Sequence, residues 1–293
     1  MVSDQQFADI VETRARRPDV IAEFARSRKR REEFDDGRGL FLVTADDPAR
    51  ANLQIGAYPV ALGDRKRLLD RLTSVLDAPE VDGLIATPDI VGDLLLLGAL
   101  DDKLVVGSMN RSGLAGSTWE VDDRFTAYDP SAITASNLDG GKMTLRLDWK
   151  DPGTNDALLA CASAIGALGR KQIPALVEPL PVFRDAGRAR VSNDPDGLIR
   201  AISVAGGLGA MSDHTWLKVP MVRDVALVLG ATSMPVLVGG GDPGVDRDDA
   251  IARWRDALAL PQARGVLAGR SLLFPADGDV DRAVSAVAEA LGR

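Results

Sequence analysis

The chain has 293 residues and a formal net charge of −8 at pH 7. An acidic chain has no general attraction for nucleic acid or for an anionic membrane, so we expect neither as a partner. No apolar run reaches the roughly 18 residues of a membrane span, and the charged N-terminus lacks the apolar core of a secretory signal. We therefore predict a cytoplasmic protein.

The first predicted elements are two charged, alanine-rich helices within residues 3–34, separated by Arg17 and Pro18. A basic run at residues 26–31 passes directly into an acidic run at residues 32–36. Adjacent runs of opposite charge are typical of a solvated helix end, and we interpret them in this way rather than as a nucleic-acid patch.

From residue 39 onward, short apolar runs alternate with segments of helical period. Strands that alternate with helices indicate parallel βαβ units, and near-continuous apolar strands are typical of a sheet covered on both faces. Eight such runs occur, at residues 39–44, 81–86, 103–107, 141–147, 173–178, 215–219, 235–238 and 265–268.

Eight βα units are the number that closes a (β/α)8 TIM barrel. An open doubly wound sheet is the alternative, but such a sheet usually has a glycine fingerprint after its first strand. The first run here ends in Ala45-Asp46-Asp47-Pro48, which is no such fingerprint. We predict an N-terminal helical extension at residues 1–38 and one barrel domain at residues 39–293.

In barrels of this kind the chemistry lies at the carboxyl ends of the strands. That rule selects polar side chains on several strands: Asp46 and Asp47 on the first, Ser108, Asn110 and Arg111 on the third, Arg146 and Asp148 on the fourth, Glu178 on the fifth and Lys218 on the sixth. Of these, we take Asp46, Arg146, Glu178 and Lys218 as the catalytic candidates. Asp46 is placed for proton transfer. Arg146 is interpreted either as a structural partner of Asp148 or as a contact for an acidic group of a substrate.

Lys218 is the candidate nucleophile because it sits inside an apolar strand near its carboxyl end. Loss of water around an amine favours its neutral form, so we predict a lowered pKa for Lys218, as a Schiff-base lysine requires. Three other lysines are expected at strand entrances, on the stabilising face: Lys103, Lys142 and Lys171. A buried structural Lys218, paired with Asp46 or Glu178, remains the alternative.

The last two predicted strands end in glycine. Gly239, Gly240 and Gly241 follow the seventh strand, and Gly269 with Arg270 follows the eighth. Glycine lets a ligand approach the backbone closely, and the loops after these two strands commonly bind phosphate in barrels. We predict an anion site there.

Taken together, a lysine ending the sixth strand, glycines ending the seventh and Gly-Arg ending the eighth resemble the class I aldolase barrels. The pattern is similar to the archaeal-type fructose-bisphosphate, tagatose-bisphosphate and deoxyribose-phosphate aldolases, over about residues 39–275. The resemblance implies that Lys218 forms an imine with the substrate and that Asp46 is the acidic residue of the first strand. It also implies a phosphate site at matching positions: Gly239, Gly240, Gly269 and Arg270.

Two departures from that family stand out. Asp47-Pro48 replaces the His-Gly that often follows the acidic residue of the first strand. The family's mid-barrel tyrosine has no counterpart, since the tyrosines here are Tyr58 and Tyr128. Proton transfer then passes to Asp46, Glu178 or a water molecule.

We therefore predict a metal-independent class I aldolase that needs no cofactor and acts on a phosphorylated sugar or sugar acid. Neutral Lys218 attacks the carbonyl, Asp46 assists loss of water, and the iminium accepts electrons from the C–C bond. A basic Arg146 suggests a substrate with an additional acidic group. A sugar-phosphate-binding barrel without turnover, and an imine-using isomerase or transaldolase, stay open as alternatives. The oligomeric state also stays open, with a homo-oligomer among the alternatives.

Overall fold

The structure, a computed structural model, describes residues 1–186, 188–240 and 247–293. Every helix within these ranges is too short or too polar to span a lipid bilayer. The helices are α1 Asp4–Arg16, α2 Asp19–Ser27, α3 Arg65–Asp77, α4 Pro88–Leu96, α5 Pro130–Ala135, α6 Gly153–Gly169, α7 Pro195–Gly206, α8 Val225–Leu229, α9 Arg247–Leu258, α10 Arg270–Leu273 and α11 Val280–Ala290.

Eight parallel strands of the described residues form a closed barrel, so the predicted (β/α)8 fold is confirmed. The strands are β1 Leu40–Ala45, β2 Gly83–Ala86, β3 Leu104–Ser108, β4 Gly140–Leu147, β5 Ala175–Asp185, β6 Arg188–Val191, β7 Thr215–Pro220, β8 Val236–Gly239 and β9 Ala263–Ala268. Around the barrel β4 pairs with β5, β5 with β7, and β9 with β1. All eight apolar runs of the sequence lie on barrel strands.

β6 was not predicted. It pairs antiparallel with the far end of β5, so that the two strands form a hairpin beyond the barrel. Phe183 on this hairpin is half exposed, so the described residues leave this aromatic side chain partly uncovered.

Alternate side chains of each barrel strand face the helices and the barrel interior. On β1, Phe41 and Val43 pack in the outer layer, whereas Leu40 and Leu42 face inward. The apolar interior cluster consists of Leu40, Leu42, Ile85, Leu104, Val106, Leu176, Leu237 and Leu267. Toward the carboxyl ends of the strands, the same inward face becomes polar.

Within residues 26–31, Arg28, Arg30 and Arg31 bind the amino-terminal end of the barrel, so the interpretation of this run as a solvated helix end is wrong for these three arginines. α2 ends at Ser27, and the buried Arg28 donates to one carboxylate oxygen of Asp139 at 2.8 Å. Arg30 donates to the other oxygen at 2.6 Å. Asp139 lies just before β4, about a hundred residues from these arginines. The residues next to the arginines in sequence therefore do not reveal this partner.

Two further contacts fasten the same end. Arg31 donates to Asp82 at 2.6 Å, and this carboxylate also accepts the backbone N–H of Phe41 at 2.7 Å. Phe34 packs edge-on against Trp216 of β7, with ring centroids 5.2 Å apart. The segment between α2 and β1 therefore closes the amino-terminal end of the barrel.

We expect Asp139→Asn to lower the free energy of unfolding by about 3–5 kcal/mol, because it leaves the buried Arg28 without its carboxylate. Urea unfolding followed by circular dichroism measures this difference. Asp102→Asn is the matched control, since Asp102 pairs with Lys29 at an exposed position and its loss should cost at most about 1 kcal/mol. Equal losses in the two variants would contradict the assignment.

Candidate active site

The candidate site lies at the carboxyl ends of the strands, where the inward faces of β4, β5 and β7 carry charged residues. The pairing register aligns these strands: Thr144 is opposite Glu178, and Leu176 is opposite Trp216. Because inward-facing residues recur every second position, Lys218 shares the inward face of β7 with Trp216.

The carboxylate of Glu178 bridges two lysines. One oxygen lies 2.7 Å from the Nζ of Lys218, and the other lies 2.6 Å from the Nζ of Lys142. The hydroxyl of Thr144 accepts from Lys142 at 2.9 Å and donates to Glu178 at 3.2 Å. A single carboxylate thus connects both amines by direct contacts.

Asp46 is the second carboxylate that contacts Lys142. Its carboxylate accepts from Ser108 at 2.7 Å, from Arg111 at 2.9 Å and from Thr44 at 3.0 Å. The Nζ of Lys142 lies 3.3 Å away, so Lys142 contacts both carboxylates. Burial raises the pKa of Asp46, but the charges of Lys142, Arg111 and Lys218 and the hydrogen bond from Ser108 together outweigh burial and hold that pKa well below its usual range.

We call Lys142, Lys218, Arg111, Asp46 and Glu178 the buried charge cluster. It contains three basic and two acidic side chains, and each has a side chain no more than 15% exposed. An excess of positive charge is unfavourable at a buried position, because little water is present to solvate it. Loss of one proton would bring the cluster to neutrality, and the two lysines are the groups that can supply it, since arginine stays charged.

The predicted lowering of the Lys218 pKa is wrong. Burial does lower it, but the carboxylates of Glu178 and Asp46 outweigh burial and raise the pKa above its ordinary value. For Lys142 the balance is opposite: burial dominates over the same carboxylates, and its pKa is lowered. The sequence prediction followed the apolar neighbours along β7, whereas the alternative of a buried Lys218 paired with Asp46 or Glu178 describes the charges that the structure places around this amine.

The prediction that Lys142 lies at a strand entrance is also wrong. Strands of a closed barrel are staggered, and β4 begins two residues farther along than β3, with Gly140 opposite Val106. Lys142 is therefore level with Ser108, the last residue of β3. Lys142 is thus near the beginning of β4 in sequence but lies beside the carboxyl end of β3, where the site is.

A cavity of about 350 Å³ opens above the cluster, within the range of small-molecule sites. Lys218 and Glu178 line it with side chains only 15% and 13% exposed, and we call this part its deep end. Lys142 and Asp46 are not among its lining residues, and the Lys142 side chain is 3% exposed against 15% for Lys218. A ligand in this cavity reaches Lys218 and is separated from Lys142.

The outer part of the cavity contains Arg270, Ser271 and Asp47. Arg270 is half exposed, and its Nε lies 3.5 Å from a carboxylate oxygen of Asp47. Asn52 contacts both side chains: its amide donates to Asp47 at 3.0 Å, and its carbonyl oxygen lies 3.4 Å from Arg270.

The glycines predicted to bind phosphate differ from one another in what they contact. A Cβ on Gly239 would lie 2.8 Å from the Cε of Lys218, so this glycine makes room for the lysine side chain. Gly240 lines the cavity, but its N–H is bonded to the carbonyl of Leu267. Gly269 lines it too, against Thr44 of β1. Gly241 lies outside the described residues.

Arg146 is engaged away from the two lysines. Its guanidinium donates to Asp123 at 2.6 Å, and Arg50 donates to the same carboxylate at 2.7 Å. Asp148, the partner considered for Arg146, instead pairs with Arg184. Arg146 therefore holds the chain between β3 and α5 in place, and its charge is already paired with Asp123.

Neither tyrosine reaches the cluster. Tyr58 is 73% exposed, and Tyr128 packs in the outer apolar layer. Within the described ranges, no three metal-ligating side chains converge on a point where an ion could be held. The polar side chains that line this cavity are the amine of Lys218, the guanidinium of Arg270, the carboxylates of Asp47 and Glu178, the amide of Gln54 and the hydroxyls of Thr44 and Ser271.

A model of the Cgl0159-like family matches residues 38–288. The crystal structure of Cgl0159 from Corynebacterium glutamicum is 40% identical to this chain, covers 99% of it and 98% of that protein, and superposes with a TM-score of 0.96. Among curated proteins, none matches the chain by sequence.

Two aldolase structures share the fold. One is an archaeal fructose-1,6-bisphosphate aldolase with its catalytic lysine bound to the carbinolamine intermediate, at 15% identity, TM-score 0.64, and coverage of 92% and 99%. The other is a fructose-bisphosphate aldolase from Slackia heliotrinireducens, at 16% identity, TM-score 0.62, and coverage of 98% and 93%. The resemblance to aldolase barrels is thereby confirmed for the fold.

We expect Glu178→Gln to make Lys218 react at lower pH, because Glu178 is the main charge that raises its pKa. Reductive methylation with formaldehyde and cyanoborohydride labels neutral amines, and peptide mass spectrometry reports the rate at Lys218. The pH of half-maximal rate should fall by about 1–3, the usual influence of a neighbouring charge. Asp102→Asn removes an equal charge from the amino-terminal end of the barrel as a control. An unchanged midpoint would refute the assignment.

Proposed function

This chain belongs to the Cgl0159-like family, and we propose that it is a class I aldolase that acts on a phosphorylated sugar or sugar acid through a Schiff base on Lys218. The observation that carries the proposal is the deep end of the cavity, where the amine of Lys218 meets the carboxylate of Glu178 at 2.7 Å. An amine beside a proton-accepting group is the arrangement that imine chemistry needs.

Access selects Lys218 over Lys142. Both amines contact Glu178, but Lys218 lines the cavity and Lys142 does not. We assign Lys142 the role of proton acceptor, since burial lowers its pKa while that of Lys218 is raised. When Lys142 has lost its proton, the proton on Lys218 can pass to Glu178, and from the carboxylic acid so formed to Lys142.

The neutral amine of Lys218 then attacks the carbonyl carbon of the substrate. A C–N bond forms, the carbonyl oxygen takes a proton to give the carbinolamine, and water leaves as the iminium forms. Glu178 is the carboxylate in contact with both the cavity and the amine, so we assign it these proton transfers. Asp46 contacts Lys142 but does not line the cavity, and we assign it the charge that keeps Lys142 in place.

Bond cleavage follows from the charge of the iminium. The substrate hydroxyl beyond the scissile bond loses its proton to Glu178 and becomes the carbonyl of one product. The electron pair of the C–C bond moves to the iminium and gives an enamine on Lys218. Protonation and hydrolysis of the enamine release the second product, and the amine is restored.

The outer cavity suits an anionic group of the substrate. Arg270 supplies a guanidinium, Ser271 lies beside it, and Gly240 and Gly269 leave the lining without side chains. Binding energy gained at this remote group orients the carbonyl at Lys218. The archaeal aldolase with its lysine-bound carbinolamine shares the barrel, which supports the proposal by analogy of fold.

A sugar-phosphate-binding barrel without turnover is the second candidate. The observation in its favour is the Lys218–Glu178 ion pair, because a raised pKa holds the amine in its charged, unreactive form. Trapping of a covalent adduct distinguishes the two functions, since only the enzyme forms an imine.

Borohydride reduction during incubation with phosphorylated ketoses and sugar acids should leave a mass adduct on the peptide that contains Lys218. Lys218→Arg keeps the charge and has no nucleophilic amine, so it should fold, bind the anion and lose the adduct and turnover. Lys150→Arg, at an exposed lysine, is the matched control. An adduct on Lys142 or Lys150, or an active Lys218→Arg variant, would defeat the mechanism.

Arg270→Ala should raise KM for a phosphorylated substrate and leave KM for its dephosphorylated analogue nearly unchanged. The lost contact is charge-assisted and worth about 1.5 kcal/mol. We take this lower value because the side chain is 46% exposed, and it corresponds to roughly tenfold in KM. Steady-state kinetics on both compounds measures the ratio, with Arg255→Ala as the control for an exposed arginine. Equal effects on both compounds would make the role of Arg270 structural.

A further inference from the structure

Arg270, the cation proposed to receive the anion, already faces an acidic side chain of the same chain. Its Nε lies 3.5 Å from a carboxylate oxygen of Asp47. Both residues line the cavity that contains Lys218. An arriving anion therefore meets Arg270 with a carboxylate beside it, and the two negative charges compete for one guanidinium.

The position of Asp47 follows from its neighbour. Asp46 and Asp47 are consecutive residues after β1, and Asp46 turns inward to Arg111 and Lys142. Asp47 lies at the cavity lining instead, with a side chain 26% exposed. One strand end thus supplies a carboxylate to the deep end of the cavity and another to its outer part.

Asn52 holds Asp47 and Arg270 together as one arrangement. Its amide donates to Asp47 at 3.0 Å, and its carbonyl oxygen lies 3.4 Å from Arg270. The loop that carries Asn52 continues into Gln54, which also lines the cavity. The Asp47 side chain is therefore fixed near the guanidinium by a neutral residue.

We propose that Asp47 is a positioning residue that competes with the anionic group of the substrate for Arg270 and so sets the affinity of the outer cavity. The ligand class is a phosphate ester, or free phosphate with the same chemistry. Binding exchanges one anion for another at Arg270, and Asp47 returns to the guanidinium as the ligand leaves. This inference rests on the anion site of the proposed function.

If Asp47 competes with the ligand, its neutral variant should behave differently from a variant that has only lost a structural contact. Asp47→Asn keeps the size of the side chain and its contact with Asn52 but removes the competing charge. An ion pair at this exposure contributes about 0.2–1 kcal/mol. The Asn variant should therefore bind inorganic phosphate more tightly, by up to roughly fivefold, whereas loss of a structural contact would weaken binding.

Inorganic phosphate is titrated against the full chain, and the rise in melting temperature gives the affinity, since a ligand that binds the folded state stabilises it. Chloride at equal ionic strength serves as reference, and the response of Arg270→Ala is subtracted as the contribution of phosphate elsewhere. Asp102→Asn removes an equal charge at the amino-terminal end of the barrel and should leave the affinity for phosphate unchanged. Asp47→Ser replaces the Asn variant if that one does not fold.

Tighter phosphate binding in the Asp47 variant, abolished in the Asp47→Asn/Arg270→Ala double variant, supports the inference. Unchanged or weaker binding overturns it. If Arg270→Ala binds phosphate as the parent chain does, the anion site itself fails. If no adduct forms on Lys218 while the phosphate results hold, the aldolase mechanism fails and the competition stands.

Discussion

The carboxylate of Glu178, shared by the amines of Lys142 and Lys218, is the interaction on which the rest of the site depends. Neither lysine could be held in so dry a place alone, because burial of an ammonium without a partner is costly. The shared carboxylate stabilises both and leaves the cluster with one excess positive charge. That excess is what makes a lysine proton available, even though the carboxylate raises the pKa of Lys218. In the proposed mechanism, the contacts that stabilise the two lysines, at 2.6 and 2.7 Å, are also those through which the proton is moved.

The barrel itself could be predicted from the sequence because its cause is local. Each strand is buried on both faces, so each appears as a short apolar run, and all eight runs lie on barrel strands. The parts that were missed depend on distant contacts. Arg28 finds Asp139 across the folded chain, and β6 exists because β5 extends beyond the barrel and turns back. Neither feature has a signature in the residues nearby.

The residues of the candidate site also fall into those that the sequence predicted and one that it misplaced. Asp46, Glu178 and Lys218 could be selected because they end strands, and the structure brings them together around Lys142. Lys142 itself was misplaced because strand stagger cannot be seen in a single sequence. A signal was present nonetheless. In Lys142-Met143-Thr144-Leu145-Arg146 polar and apolar residues alternate, although a strand covered by helices should be apolar on its outer face. Alternation in such a strand means that its polar residues face the barrel interior.

Closure of the barrel between β1 and β9 constrains how the chain reaches its fold. Leu40 pairs with Gly265, more than 200 residues later, and a Cβ on Gly265 would overlap the carbonyl of Leu40. Contacts between such distant residues slow folding because the intervening chain must first be ordered. During synthesis β1 can pair with β2 early, while its other edge stays open until β9 emerges. An open edge beside buried leucines is a surface on which chains aggregate. Production of this protein is therefore expected to be sensitive to the rate of chain elongation and to chaperones that shield unpaired strands.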